Sequence, residues 1–198
     1  MQETLNKIDK EFEKMSYNPS IKQDVADYLS ALCSSKKPVN ILEIGTNLGK
    51  SSLIMLKNSP NSKITTLEKD ADIFEKAKAN FIFAGVMKNI NQVLGDAKDT
   101  LKNLPSNTYD LVFLDGPKGQ YINYLPQLKR VLTLGGVLVA DNVFFKGKVL
   151  AQGIIEKKHR TIVVNLKKFL YEVQNDNSFE TQILNLGDGL SVSKKIAE

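Results

Sequence analysis

Leu5, Ile8, Phe12 and Met15 recur at helical spacing with charge on the other faces, which predicts an amphipathic helix over residues 1–15, suited to a lid or a subunit contact. Asn18-Pro19-Ser20 breaks that pattern, and a helical period resumes over residues 21–32. Over residues 39–44 the period changes to a short, β-branched, largely apolar run that Glu43 interrupts, the mark of a buried strand. Gly45 and Gly49 follow, and helical spacing returns over residues 51–56. The alternation then repeats. Residues 63–67 predict a strand closing on Glu68, 71–83 a helix, 92–94 a short strand leading into Gly95-Asp96-Ala97, and 109–114 a strand ending on Asp115. Residues 121–132 predict a helix, 137–140 a strand that follows Gly135-Gly136 and ends on Asp141, and 161–173 a helix with one apolar face. The last segment differs: strands over 179–186 and 190–193 flank Gly187-Asp188-Gly189, a hairpin signal. Alternating β and α units that finish in a hairpin predict an α/β fold with a doubly wound, mostly parallel sheet and one antiparallel strand. Neither repeat nor linker interrupts the chain, so residues 1–198 read as one domain, with residues 1–35 as its amino-terminal helices.

Composition narrows the class. At 198 residues one sizeable core is expected. No apolar run approaches the roughly 20 residues that span a bilayer, and the amino terminus lacks the apolar stretch of a secretory signal. The single cysteine, Cys33, excludes an internal disulfide or a Cys-rich zinc site and reads as a small core residue. The expected compartment is the cytoplasm, with no membrane association. A net charge of +5 permits an anionic partner without requiring one.

The first glycine turn, GTNLGKS, comes within one residue of a phosphate-cradling loop, but the gap between its glycines is too short. The dinucleotide fingerprint fails as well, because Asn47 stands where a second glycine must admit a pyrophosphate. Glu43 would repel phosphate. A cofactor bearing a sulfonium and an ammonium needs acidic groups and no phosphate cradle, which points to S-adenosylmethionine (SAM). A purely structural turn with an incidental glutamate stays open at this stage. Glu68, 19 residues beyond Gly49, is spaced to accept hydrogen bonds from ribose hydroxyls. Asp96 could receive an adenine amino group, or simply make a turn.

Carboxylates also close the fourth and fifth strands, and in a parallel sheet those ends lie along one edge. Asp115, Asp141 and Asn142 offer only oxygen ligands, suited to a hard divalent cation such as Mg²⁺. Lys118 follows three residues after Asp115, as a candidate general base or a surface ion pair. Lys146, Lys148, Lys157, Lys158, Arg160, Lys167 and Lys168, opposed only by Glu156, could track a phosphate backbone or merely form a solvated face. His159 has no partner within sequence reach and is expected at the surface.

The motifs E-I-G-T-x-x-G-x-S (Glu43, Gly45, Thr46, Gly49, Ser51), D-x-x-K (Asp115, Lys118) and D-N (Asp141, Asn142) together resemble the metal-dependent O-methyltransferases related to catechol O-methyltransferase. The resemblance runs from Ile21 onward and implies the seven-stranded, Rossmann-like sheet of class I methyltransferases. It implies that Glu43, Gly45, Thr46, Gly49, Ser51, Glu68, Asp96, Ala97 and Asp115 contact SAM. It also implies that Asp115, Asp141 and Asn142 hold Mg²⁺ or another divalent cation, with Lys118 and Asp115 catalytic, and that the protein is a homodimer. A narrower set is similar to the bacterial tRNA 5-hydroxyuridine methyltransferases: Lys118-Gly119-Gln120-Tyr121, Asp141-Asn142-Val143 with Lys146-Gly147, Arg160-Thr161-Ile162-Val163 and Gly187-Asp188-Gly189-Leu190. These make 5-methoxyuridine at the wobble position, so a tRNA anticodon region is the implied partner and a small catechol-like phenol the alternative acceptor. Lys50 departs from the aromatic usual after Gly49, and Gly116-Pro117 from a pair of small residues.

Overall fold

A strand feeding a glycine turn decides where a ligand could sit, and residues 40–44 form it, with Val39 outside the strand and exposed. The computed structural model describes residues 1–14, 20–153 and 155–198; Met15 and the Asn18-Pro19 break fall outside the described residues. Contacts gather into two units, Met1–Asp96 and Ala97–Glu198.

The first unit holds helices α1 (Gln2–Glu13), α2 (Gln23–Lys36), α3 (Lys50–Asn58) and α4 (Ala71–Phe83), with strands β1 (Asn40–Ile44), β2 (Lys63–Glu68) and β3 (Ile90–Leu94). The predicted face of α1 is the buried one, through Leu5, Ile8 and Phe12. All of β1 after Asn40 is buried, and β1–β2 and β2–β3 pair in parallel, so Ile44 lies beside Leu67 and Glu68 beside Leu94. Asp70 caps α4 by accepting from the backbone N–H groups of Asp72 and Ile73, each at 3.0 Å. Cys33 is fully buried in α2, and burial pushes its thiol up to about 12, which makes it the inert core residue expected.

The second unit holds helices α5 (Ala97–Asn103), α6 (Tyr121–Val131) and α7 (Arg160–Asn175), with strands β4 (Tyr109–Leu114), β5 (Leu132–Ala140), β6 (Phe179–Leu184) and β7 (Leu190–Lys195). Strands β4 and β5 are parallel, and β7 runs antiparallel to both β5 and β6. The strand order is β3-β2-β1-β4-β5-β7-β6, seven strands with β7 as the antiparallel member. This is the doubly wound, mostly parallel sheet that the alternation predicts. Among the described residues no helix is long and apolar enough to cross a membrane.

Three local differences have physical causes. Strand β5 starts at Leu132 instead of after the glycine pair, because the register jumps from Tyr109↔Leu132 to Leu111↔Val137 and the bulge absorbs Gly135 at φ 81°. Helix α5 was not expected; it buries only Ala97 and Leu101, too few apolar positions to show a period. Strand β7 runs two residues past Ser193, so that Lys195 points inward and is 1% exposed.

The Lys195 ammonium shares its three N–H groups among four acceptors: the carbonyls of Lys129 (3.2 Å) and Leu132 (3.1 Å) at the end of α6, and Asn107 Oδ1 and Glu198 Oε2, each at 3.2 Å. It therefore supplies a positive charge to carbonyls that the helix leaves without partners. Lys195→Met keeps the stem but strands those buried acceptors, and a loss of about 2–4 kcal/mol is expected. Urea denaturation checks this; an unchanged midpoint would show that the cage contributes nothing.

Candidate active site

In the first unit, the chain leaves β1 through three left-handed residues, Gly45 (φ 100°), Asn47 (φ 47°) and Gly49 (φ 86°). The backbone N–H groups of Gly45 and Thr46 donate to the Leu67 carbonyl at 3.0 and 3.2 Å, which fastens the turn to the end of β2. Glu68 completes the fastening. Its Oε2 accepts from the Asn47 N–H at 3.0 Å, while Oε1 accepts from Lys69 and Asp70 at 2.9 and 3.0 Å. The carboxylate expected to receive a ribose thus also orders the turn that such a ligand would rest on.

Glu43 is fully buried. Its carboxylate accepts from the hydroxyls of Ser51, Ser52 and Thr66, the last two at 2.5 Å, and Thr46 Oγ1 lies 2.6 Å from Thr66 Oγ1. A buried anion is tolerable only when so solvated, and the first turn of α3 adds the favourable end of a helix dipole. Ser52 and Thr66 were not anticipated. Their signal in the sequence was slight: a second serine after Ser51, and a threonine at an inward position two residues before Glu68. The unusual Lys50 turns away to an ion pair with Asp9 at 2.5 Å and a hydrogen bond to Ser20 at 2.9 Å. Asp96 is exposed after β3, and Ala97 is buried at the start of α5.

In the second unit, the parallel pairing of β4 and β5 brings Asp115 and Asp141-Asn142 to neighbouring strand ends. The Tyr121 hydroxyl, fully buried, lies 3.1 Å from both the Leu114 and the Asp141 carbonyls and so joins the two ends. Asp141 is 1% exposed. Burial, and then the charge of Asp115, push its carboxyl up to about 7, against the opposing pull of the Asn142 N–H and Lys118; Asp188 adds to the rise. Asp141 Oδ1 accepts from the backbone and side-chain N–H groups of Asn142 at 2.6 and 3.2 Å, with Asn142 itself left-handed at φ 56°.

Lys118 lies in a 3-10 turn, Lys118–Gln120, and its ammonium is 2.6 Å from Asp115 Oδ1. Burial would lower its pKa, but Tyr121, Asp115 and Asp141 outweigh that and hold it above the usual lysine value. As it stands, Lys118 is a proton-holding counter-ion and not a free base.

The donor set fits a hard cation: two carboxylates that repel each other, plus an amide carbonyl, all oxygen. Among the described residues no group of three His, Cys, Asp or Glu forms a metal cluster, so any ion here must rely on this mixed set.

Two surface expectations change. His159 is half-buried, its ring meeting that of Phe145, distant in sequence, edge-on with centroids 5.4 Å apart. The basic run is partly neutralised within itself, since Lys148 and Lys158 both pair with Glu156 at 3.3 and 3.0 Å. Lys146, Lys157, Arg160, Lys167 and Lys168 are exposed.

The strand order, with a glycine turn after β1, defines the Rossmann-like methyltransferase fold. A profile of the O-methyltransferase family matches residues 1–196, and the chain belongs to that family. It is similar to a catechol O-methyltransferase of Mycobacterium tuberculosis, 34% identical over 126 residues that make up 63% of this chain and 57% of that relative's length. It is also similar to caffeoyl-CoA O-methyltransferase 1 of Arabidopsis thaliana, 28% identical over 185 residues, 88% of this chain and 70% of that one. Among solved structures, the O-methyltransferase TomG from Streptomyces achromogenes, crystallised with SAM, shares the fold at a TM-score of 0.87 and 22% identity, over 98% of this chain and 90% of that one.

Proposed function

We propose that the protein transfers a methyl group from SAM to a hydroxyl whose neighbouring carbon carries a second oxygen, and that its acceptor is the 5-hydroxyuridine at the wobble position of tRNA. The observation that carries this is the cluster of buried Asp141 with half-buried Asp115, Lys118 and Asn142 at the ends of β4 and β5. Membership of the O-methyltransferase family supports methyl transfer, and the SAM held by TomG supports the donor.

The residues of the first unit have roles that suit a sulfonium cofactor. Glu68 would accept ribose hydroxyls with its remaining lone pairs, Asp96 would border the adenine, and Gly45, Thr46, Gly49 and Ser51 would form the turn beside the methionine moiety. Glu43, saturated by hydroxyls, would act through Ser51 and the turn and by its field. In the second unit Asp115, Asp141 and Asn142 would hold a divalent cation such as Mg²⁺. When bound, that ion would supply Lewis acidity, lowering the pKa of the acceptor hydroxyl and fixing two adjacent oxygens. Lys118, now held by those two carboxylates, would be freer to take the acceptor proton once they served as ligands. Tyr121 keeps the two strand ends in register throughout.

A 5-hydroxyuracil presents O5 and O4 on adjacent carbons, as a catechol presents its two oxygens. An anticodon base is already unpaired, so bringing it to a pocket avoids the unstacking of a duplex. The exposed lysines and Arg160 on and before α7 favour a polyanion. The relatives favour the second reading, a small catechol-like phenol. Incubating the protein with SAM, Mg²⁺ and either hydroxyuridine-bearing tRNA or catechol, with mass analysis of nucleoside and phenol, separates the two: methylation of the phenol alone would end the tRNA assignment. Affinity for tRNA should also fall with salt. Neutralising about four phosphates gives a log–log slope near −0.7 per contact on single strands, and a flat response would remove the basic surface from the account. A homodimer is part of the same proposal, tested by light scattering.

A further inference from the structure

We infer that Asp188, in the turn between β6 and β7, is a positioning residue that clamps the loop following Asn142 and so sets the acceptor side of the site. This rests on the functional reading above and deepens it. Residues 142–147 are conformationally costly: Asn142, Phe145 and Lys146 are left-handed at φ 56°, 49° and 54°, and Gly147 follows at 72°. Asn tolerates that region, but Phe and Lys enter it at a cost that surrounding contacts must offset.

The loop makes local turn bonds of its own, Phe145 N–H to the Asn142 carbonyl at 3.2 Å and Lys148 N–H to the Phe145 carbonyl at 3.1 Å, and its contacts from outside come from the β6–β7 turn. Asp188 Oδ2 accepts from the Lys146 N–H at 2.5 Å, the Asp188 carbonyl accepts from the Phe144 N–H at 2.9 Å, and the Gly189 carbonyl accepts from the Val143 N–H at 3.0 Å. Phe144 closes the clamp from above. Its ring lies so near Gly189 that a Cβ there would meet Cδ2 at 2.5 Å, and Gly189 is itself left-handed at φ 83°. Three donors in a four-residue stretch, Val143, Phe144 and Lys146, are thus met by two residues, and only one of the acceptors is a side chain. The Asp188 carboxylate is the part of this device that a substitution can remove. Through it the hairpin turn fixes the backbone that carries Asn142, whose amide already bonds Asp141.

A misplacement of about 1 Å at a reacting centre is enough for roughly a hundredfold loss in rate, so the expected effect is a split. Asp188→Ala should lower kcat/KM for whichever acceptor the wild type methylates by at least about tenfold. It should weaken Mn²⁺ binding, read by electron paramagnetic resonance, several-fold, and leave the calorimetric Kd for SAM within about twofold. Asp188→Asn, which keeps an acceptor oxygen, should recover most of both losses, and Gly189→Ala should reproduce the split by displacing Phe144. Unchanged acceptor and Mn²⁺ constants in Asp188→Ala would overturn the assignment, as would a parallel loss of SAM affinity, which marks a general structural role. Hydrogen exchange on the wild type gives a test free of both folding and activity. The Lys146 amide should be protected, and free exchange there would overturn the clamp. If the wild type methylates neither acceptor, the functional reading fails, while the exchange and Mn²⁺ measurements still judge Asp188.

Discussion

On the proposed function, Asp141→Ala is expected to abolish cation-dependent methyl transfer, lowering turnover by at least about a hundredfold, a loss larger than outer-sphere changes at a metal site produce. Asp141 is the deepest of the three candidate ligands, 1% exposed, and it holds the Asn142 backbone and amide against itself. Its removal therefore takes away a charge and releases the second ligand. Asp115 alone, already paired with Lys118, would be left as a monodentate anion with its own counter-ion. Retention of Mg²⁺-dependent turnover within about threefold would show that the cation, if any, binds elsewhere.

The same residue predicts a pH effect with a definite sign. In the folded, cation-free protein burial and the charge of Asp115 push its carboxyl up to about 7, from 3.8 for an ordinary aspartate. Between those values the folded state keeps a proton that the unfolded state has released, so this residue's contribution to stability is full below the lower value and is lost as pH rises through the upper one. The thermal midpoint of the cation-free protein should therefore carry a downward term between about pH 4 and pH 7. On the same proposal Mg²⁺ would need the ionised form and should raise the midpoint most above pH 7 and little near pH 5. Asp141→Asn should remove both the slope and the Mg²⁺ effect; a variant keeping both would place the titration on another group.

Much of this was legible in the sequence because the relevant signals are short in range. The run from Val39 to Ile44 and the two glycines after it specify a strand and a turn without help from distant residues, and four β–α alternations do the same for the parallel sheet. The carboxylates could be placed because each closes a recognisable strand. What escaped depends on partners far along the chain. Ser52 and Thr66 matter only because β1, β2 and α3 bring them to Glu43, 9 and 23 residues away. Lys195 reads as the polar end of a strand, yet it is buried because acceptors at Asn107, Lys129 and Leu132 wait for it. Asp188 looked like ordinary turn chemistry until the loop 42 residues upstream folded onto it. Period and punctuation reveal elements; the solvation of an inward-pointing charge is a tertiary fact.

Gly49→Ala should show how tightly the glycine turn is built, with a destabilisation of roughly 2–5 kcal/mol. Two terms add. A left-handed backbone at φ 86° disfavours any Cβ by about 1–2 kcal/mol. The new Cβ would also lie 2.5 Å from Cε1 and 2.6 Å from Cζ of Phe81, whose ring is fully buried in α4 and cannot swing into solvent. Overpacking of that kind typically adds 1–3 kcal/mol. Gly85→Ala separates the terms, because Gly85 is left-handed at φ 70° but has nothing within 4 Å of its Cβ position. Only the conformational part should appear there. The displaced partner also matters for the site: Asn80, adjacent to Phe81, donates to the Leu48 carbonyl at 3.1 Å, so a shift of α4 is passed directly to the turn. Gly49→Ala should accordingly lose SAM affinity along with stability, and Phe81→Leu should return part of both by opening space for the methyl. Equal losses from Gly49→Ala and Gly85→Ala in urea denaturation would mean that the aromatic ring yields, and that the turn is held by backbone conformation without the buttress of α4.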